Sequence, residues 1–77
     1  MQSCYRRWES RDRWYEASIG PDLFGQLTLT CRWGALRSAR GGMQCRPLTG
    51  AAEAGRLLQA LARRRERHGY RIVAVLA

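Results

Sequence analysis

Arginine and tryptophan carry the clearest chemistry in this 77-residue sequence. Arg32-Trp33-Gly34-Ala35 is followed closely by Arg37 and Arg40, and the stretch closes on Gly41-Gly42. A guanidinium grips a phosphate through two parallel N–H donors, whereas an indole stacks on a base or sugar, worth ~1–3 kcal/mol per stacked base. A second set, Arg63-Arg64-Arg65-Glu66-Arg67, crowds the end of a predicted helix and is followed by Tyr70. There the helix carbonyls alone favour cations. Arg63 and Arg67 point away from the apolar stripe and are free to meet a phosphate backbone, while the stem of Arg65 can lie along the core edge with its head outside. With Arg46 between the two sets, the candidate nucleic-acid-binding residues are Arg32, Trp33, Arg37, Arg40, Arg46, Arg63, Arg67 and Tyr70.

Catalysis finds little to work with. There is one histidine, no Ser/His/Asp set, no Gly-rich phosphate loop ahead of a helix, and no obvious carboxylate pair. His68 sits at a helix end, where packing or capping is its expected role. The three cysteines, Cys4, Cys31 and Cys45, form no CxxC pair, so neither a zinc site on ordinary spacing nor any other cofactor is expected. Cys31 and Cys45 fall in neighbouring predicted strands and could come close in space; in a cytosolic setting both are expected as buried thiols in preference to a disulfide.

The fourteen basic residues, every one arginine, stand against six acidic ones and give a formal net charge of +8. Such an excess in a small chain is an electrostatic footprint for phosphate-rich partners. No apolar run approaches the ~20 residues of a membrane span, and the N-terminus lacks the apolar region of a signal peptide. The expectation is a soluble cytoplasmic protein with no membrane partner. A helix-turn-helix or zinc-finger reading helix is not visible, so binding is expected to be weakly sequence-dependent and salt-sensitive.

The elements that must position these residues follow from alternation and turn chemistry. Cys4–Glu9 reads as a first, edge-like strand, and Arg13–Ile19 as a second with Tyr15, Ala17 and Ile19 inward. Trp14, on its outward face, is expected to pack against the N-terminal segment. Gly20–Gly25 is a turn whose Leu23 and Phe24 are expected to tuck under the sheet edge. Leu27–Trp33 is the central strand, with Leu27, Leu29 and Cys31 on one face and Thr28, Thr30 and Arg32 on the other. Strict alternation places Trp33 inward with Leu29 and Cys31, whereas a bulge turns it out. After a loop from Ala35 to Gly42, Met43–Leu48 forms a fourth strand ended by Pro47.

A helix starts at Thr49 or Gly50 with Glu53 in its first turn, and its apolar stripe runs Ala51, Ala54, Leu57, Leu58 and Leu61. Gly69 ends the helix near His68, and Tyr70–Val75 returns as a last strand. The fold class is therefore α+β: an antiparallel sheet of four to five strands with one α-helix inserted before the last strand.

Asp22-Leu23-Phe24-Gly25, the strand ending in Arg32-Trp33-Gly34, Gly41-Gly42, and the arginine-rich helix ending in Gly69-Tyr70 together resemble the WGR domain, over about Arg13 to Val73. The family is named for a Trp-Gly-Arg triplet. The third residue here is Ala35, with Arg37 two positions on as a possible substitute. The resemblance implies one WGR-like domain over residues 1–77, of the kind found beside the catalytic region of poly(ADP-ribose) polymerases, where it contacts DNA at breaks, and in small bacterial proteins. It implies that Trp33 meets the DNA end beside Arg32, and that the chain binds without ADP-ribosyl transfer. The expected partner is nucleic acid, DNA ahead of RNA; the alternative is a protein-interaction module docking on an acidic partner.

Overall fold

A computed structural model of the chain describes residues 3–76. Five strands, β1 (Cys4–Glu9), β2 (Arg13–Pro21), β3 (Leu27–Ala35), β4 (Gly41–Pro47) and β5 (Arg71–Leu76), form one sheet in the order β4-β3-β2-β1-β5. Every neighbouring pair is antiparallel. Helix α1 (Ala51–Arg67) lies between β4 and β5 and therefore carries the chain from one sheet edge to the other. Its 17 residues span ~26 Å, enough to cover the ~19 Å of four inter-strand spacings.

The core lies between the helix and one sheet face. Ala17, Ile19, Leu29 and Cys31 occupy that face by alternation, and they bury against Ala54 and Leu48 with Leu57, Leu58 and Leu61 packed around them. Ala51 is exposed, ahead of the first helical contact at Ala54. The helix begins at Gly50 without a side-chain cap. Instead the Glu53 carboxylate accepts from the backbone N–H of Thr49 at 2.8 Å and from its hydroxyl at 3.1 Å. Those bonds hold the Glu53 carboxyl below the usual carboxylate range.

Three expectations need correction. Strand β1 is not edge-like: it lies between β2 and β5, and its Trp8 is the most deeply buried large side chain, 1% exposed. Alternation in β1 is hidden because Arg6 shares the inward parity of Trp8, opposite Ala17, and turns its guanidinium to the carbonyls of Tyr5 and Leu76. Leu23 and Phe24 do not tuck under the sheet; they are 98% and 93% exposed. Their turn is closed by its own hydrogen bonds, since the Asp22 carboxylate accepts from the N–H of Phe24 at 2.8 Å and of Gln26 at 2.9 Å, and Gly25 takes φ 81°. Such a self-contained turn projects its apolar side chains into solvent. Lastly, Cys31 is buried while Cys45 is exposed. Cys45 stands opposite Thr30, on the other face of the sheet from Cys31, so the two thiols do not meet.

The outer sheet face is polar. Arg7 forms ion pairs with Glu9 and Glu16, each at 2.9 Å, and its guanidinium lies over the Trp14 ring, 5.0 Å from the centroid. The N-terminal strand thus covers Trp14. Burial pushes the Glu16 carboxyl up, but hydrogen bonds from Tyr5 and Arg7 and the charges of Arg7 and Arg32 outweigh it and hold the group below its ordinary range.

Candidate nucleic-acid interface

Three connections gather at one end of the sheet: the β1–β2 turn, the β3–β4 loop, and the turn from the C-terminus of α1 into β5. The Leu36 N–H donates to the Asp12 carbonyl at 2.8 Å and ties the loop to the first turn. The helix closes with Gly69 at φ 84°, and the Tyr70 N–H returns to the Arg65 carbonyl at 3.0 Å. His68 caps this end, its Nδ1 lying 2.7 Å from the Arg64 carbonyl. This hydrogen-bonded turn brings Tyr70 back against Arg65.

Trp33 takes the inward parity, opposite Tyr15, without a bulge. Its place near the strand's end nevertheless leaves it 37% exposed. Its ring lies nearly parallel to that of Tyr15, with 6.1 Å between centroids and 14° between planes. Two glycines allow this arrangement. A Cβ on Gly42 would stand 2.7 Å from the indole, so the ring can lie across β4 only because that position has no side chain. A Cβ on Gly34 would stand 2.8 Å from Trp14 Nε1 and from the Arg40 carbonyl. Gly34 therefore admits a second tryptophan on the opposite sheet face.

The exposed part of Trp33 borders an open groove of about 630 Å³. Arg13, Arg40, Arg64 and Arg65 line it, with Tyr70, Gln44 and the backbone of Gly34 and Gly41. No ion pair among the described residues uses any of these four arginines. The Arg65 head is not outside, as expected, but held between two rings: its guanidinium carbon lies 4.5 Å from the Tyr15 centroid and 5.2 Å from that of Tyr70. A cation fixed against two π-faces has only its edges left for an anion. Burial pushes the Tyr15 phenol up, with the Cys31 thiol adding to it and the charges of Arg65 and Arg64 opposing. The ring stays neutral at physiological pH.

Of the sequence-predicted residues, this groove unites Trp33, Arg40 and Tyr70. Arg37 is exposed in the adjoining loop and does not line it. Arg32 lies on the outer face opposite Glu16. Arg46 reaches Glu53 at 3.9 Å. Arg63 and Arg67 flank Glu66 in a separate shallow hollow. Sequence reasoning missed Arg13, Tyr15, Arg64 and Arg65 as members. The signal was present: Arg13 shares the parity of Tyr15, and Arg64 and Arg65 continue the Leu57–Leu61 stripe at helical spacing.

The WGR domain family matches the chain over residues 3–74. The chain belongs to the WGR domain family. WGR domains are generally associated with nucleic-acid binding and are binding modules, not catalytic ones. The match runs nearly the whole chain and includes β1, beyond the stretch from Arg13 to Val73 that carries the sequence resemblance. No curated protein and no solved structure matches this WGR domain. Its triplet departs from the family name at Ala35, and the residue directly across the sheet from Ala35 is Arg13. Both border the same groove. A guanidinium is thus present beside the third triplet position, supplied by β2 and not by β3.

Proposed function

We propose that this WGR domain binds nucleic acid without catalysis, with DNA ends or nicks as its favoured target, through the groove beside Trp33. The observation that carries the reading is the meeting of an exposed indole with four arginines that form no ion pair among the described residues, at one end of the sheet. Trp33 and Tyr70 offer aromatic faces for a base or sugar, and Arg13, Arg40 and Arg64 offer donors to phosphate oxygens. A terminus or nick suits this groove because an open aromatic face needs a nucleotide with one side unstacked. Arg13, not Arg37, takes the place of the triplet arginine. Arg32, Arg37, Arg46, Arg63 and Arg67 lie outside the groove and contribute through the long-range field of the +8 chain, which screening weakens beyond ~8 Å at physiological salt.

The test is a fluorescence-anisotropy titration with blunt duplex, nicked duplex and single-stranded DNA at two salt concentrations. Tighter binding to the nicked or blunt duplex than to a closed hairpin duplex is expected, with log affinity falling linearly in log salt. Affinity that does not change with salt contradicts the phosphate reading. No DNA binding at low salt, together with binding to an acidic peptide, favours a protein-interaction module instead.

A further inference from the structure

The groove beside Trp33 does not end at Arg65. Arg13, Arg64, Arg65 and Tyr70 also line a second groove of about 510 Å³, with Arg11 and Asp12 from the β1–β2 turn and His68 at the helix end, and so form a ridge common to both. The two hollows share this ridge, and Arg65 stands on it with its guanidinium fixed between Tyr15 and Tyr70. Its Nε is buried and has no hydrogen-bond partner among the described residues. The β1–β2 turn is held by its own hydrogen bonds: the Ser10 N–H donates to the Arg13 carbonyl at 2.8 Å, the Arg13 N–H to Ser10 Oγ at 3.3 Å, and the Leu36 N–H to the Asp12 carbonyl at 2.8 Å. Arg11 is exposed and in no ion pair among the described residues. In the second groove Arg11, Arg13, Arg64 and Arg65 face a single carboxylate, that of Asp12.

We propose that the two grooves are one track for a phosphodiester strand. The proposal rests on the nucleic-acid reading above. A strand that stacks a nucleotide on Trp33 crosses the Arg65 ridge and lays its following phosphates in the hollow of Arg11 and His68. Three features of the molecule suit a run of phosphates better than one isolated anion. Arginines in no ion pair among the described residues stand on both sides of the ridge. The ridge cation, held by two rings, presents only its edges to a passing backbone. The Trp33 end of the track is aromatic, whereas its Arg11 end holds charge without a free ring beyond Tyr70, so bases are held at one end and backbone alone at the other. The track gives the bound strand a length requirement and a direction across the sheet end.

The intact chain is titrated by NMR with a single-stranded trinucleotide and with a strand of about twelve nucleotides, for the parent, Arg11→Ala, Arg11→Lys and Trp33→Ala. Arg11→Ala is expected to weaken the long strand about fivefold and lower its salt slope by about one, leaving the trinucleotide unchanged. Arg11→Lys restores most of the long-strand affinity, and Trp33→Ala weakens both ligands. Arg11→Ala that leaves the long strand unaffected, or weakens both lengths equally, overturns the track while the Trp33 groove stands. No binding of either length by the parent overturns the track, and the nucleic-acid reading falls with it only when nicked and blunt duplex DNA are not bound either.

Discussion

Replacing Trp33 by alanine separates two roles that the alternation of β3 left undivided. The indole stacks on Tyr15 and lies across Gly42, yet 37% of the residue remains in contact with solvent. A fully buried tryptophan truncated to alanine costs ~3–5 kcal/mol. With more than a third of Trp33 already in water, truncation removes about two-thirds of that packing, its stacking on Tyr15 included, or ~2–3 kcal/mol of stability. Trp8, 1% exposed, takes the full ~3–5 kcal/mol. That is a large share of what a domain of this size holds against unfolding, ~5 kcal/mol or little more. Trp33→Ala should therefore remain folded with a lowered melting temperature, and Trp8→Ala should be largely unfolded at physiological temperature. On DNA, Trp33→Ala should lose ~1–3 kcal/mol, roughly five- to 150-fold in affinity. Thermal melting by circular dichroism and an anisotropy titration with blunt duplex DNA on the same preparations measure both quantities. The reasoning fails if Trp33→Ala melts with Trp8→Ala. It also fails if a folded Trp33→Ala binds DNA as the parent does.

The same seat can be disturbed from beneath: a Cβ at Gly42 would meet the indole at 2.7 Å, so Gly42→Ala should displace the ring and reduce DNA affinity, with a stability loss of ~1–3 kcal/mol. Unaltered tryptophan fluorescence and unaltered affinity would count against it. Arg13→Ala should weaken DNA binding, and Ala35→Arg added to that variant should restore it, because the two positions are direct cross-strand partners on one groove; Arg37→Ala should have the smaller effect, and an absence of rescue would separate the two positions. The Glu16 carboxyl titrates below its ordinary value when folded, so its stabilisation is present above the unfolded value of ~4.3 and is lost as pH falls through the lowered one. Parent and Glu16→Gln melting temperatures should differ at neutral pH and converge on acidification; a gap that widens instead would reverse the sign of the linkage.

The fold is legible wherever a periodic signal is undisturbed. Leu27, Leu29 and Cys31 alternate cleanly and define β3, and Ala54, Leu57, Leu58 and Leu61 recur at helical spacing and define the buried side of α1. Strand β1 escapes because a strand's place in a sheet depends on which distant segment pairs with it. β5 arrives from the other end of the chain, and the inward Arg6 disguises the face that buries Trp8. Leu23 and Phe24 mislead for the opposite reason, since apolar composition says nothing about a turn whose own Asp22 hydrogen bonds direct it away from the sheet. At the site, Trp33, Arg40 and Tyr70 are legible from residue type and position along the chain. Arg13 and Arg65 join them through cross-strand register and through the return of Tyr70 onto the helix end, which are tertiary facts. Charge alone points equally to all fourteen arginines. Only the fold separates those in the groove from Arg7 and Arg46, which have carboxylate partners.

An NMR titration of the parent chain with nicked duplex DNA at low salt locates the interface residue by residue. The groove reading predicts shifts concentrated on Trp33, Arg13, Arg40, Arg64, Arg65 and Tyr70, with Leu23 and Phe24 in the β2–β3 turn unmoved, and a weakening of all of them at higher salt. Shifts centred instead on Trp14, Arg7 and Arg32 of the outer sheet face, or no shifts at low salt, would contradict it.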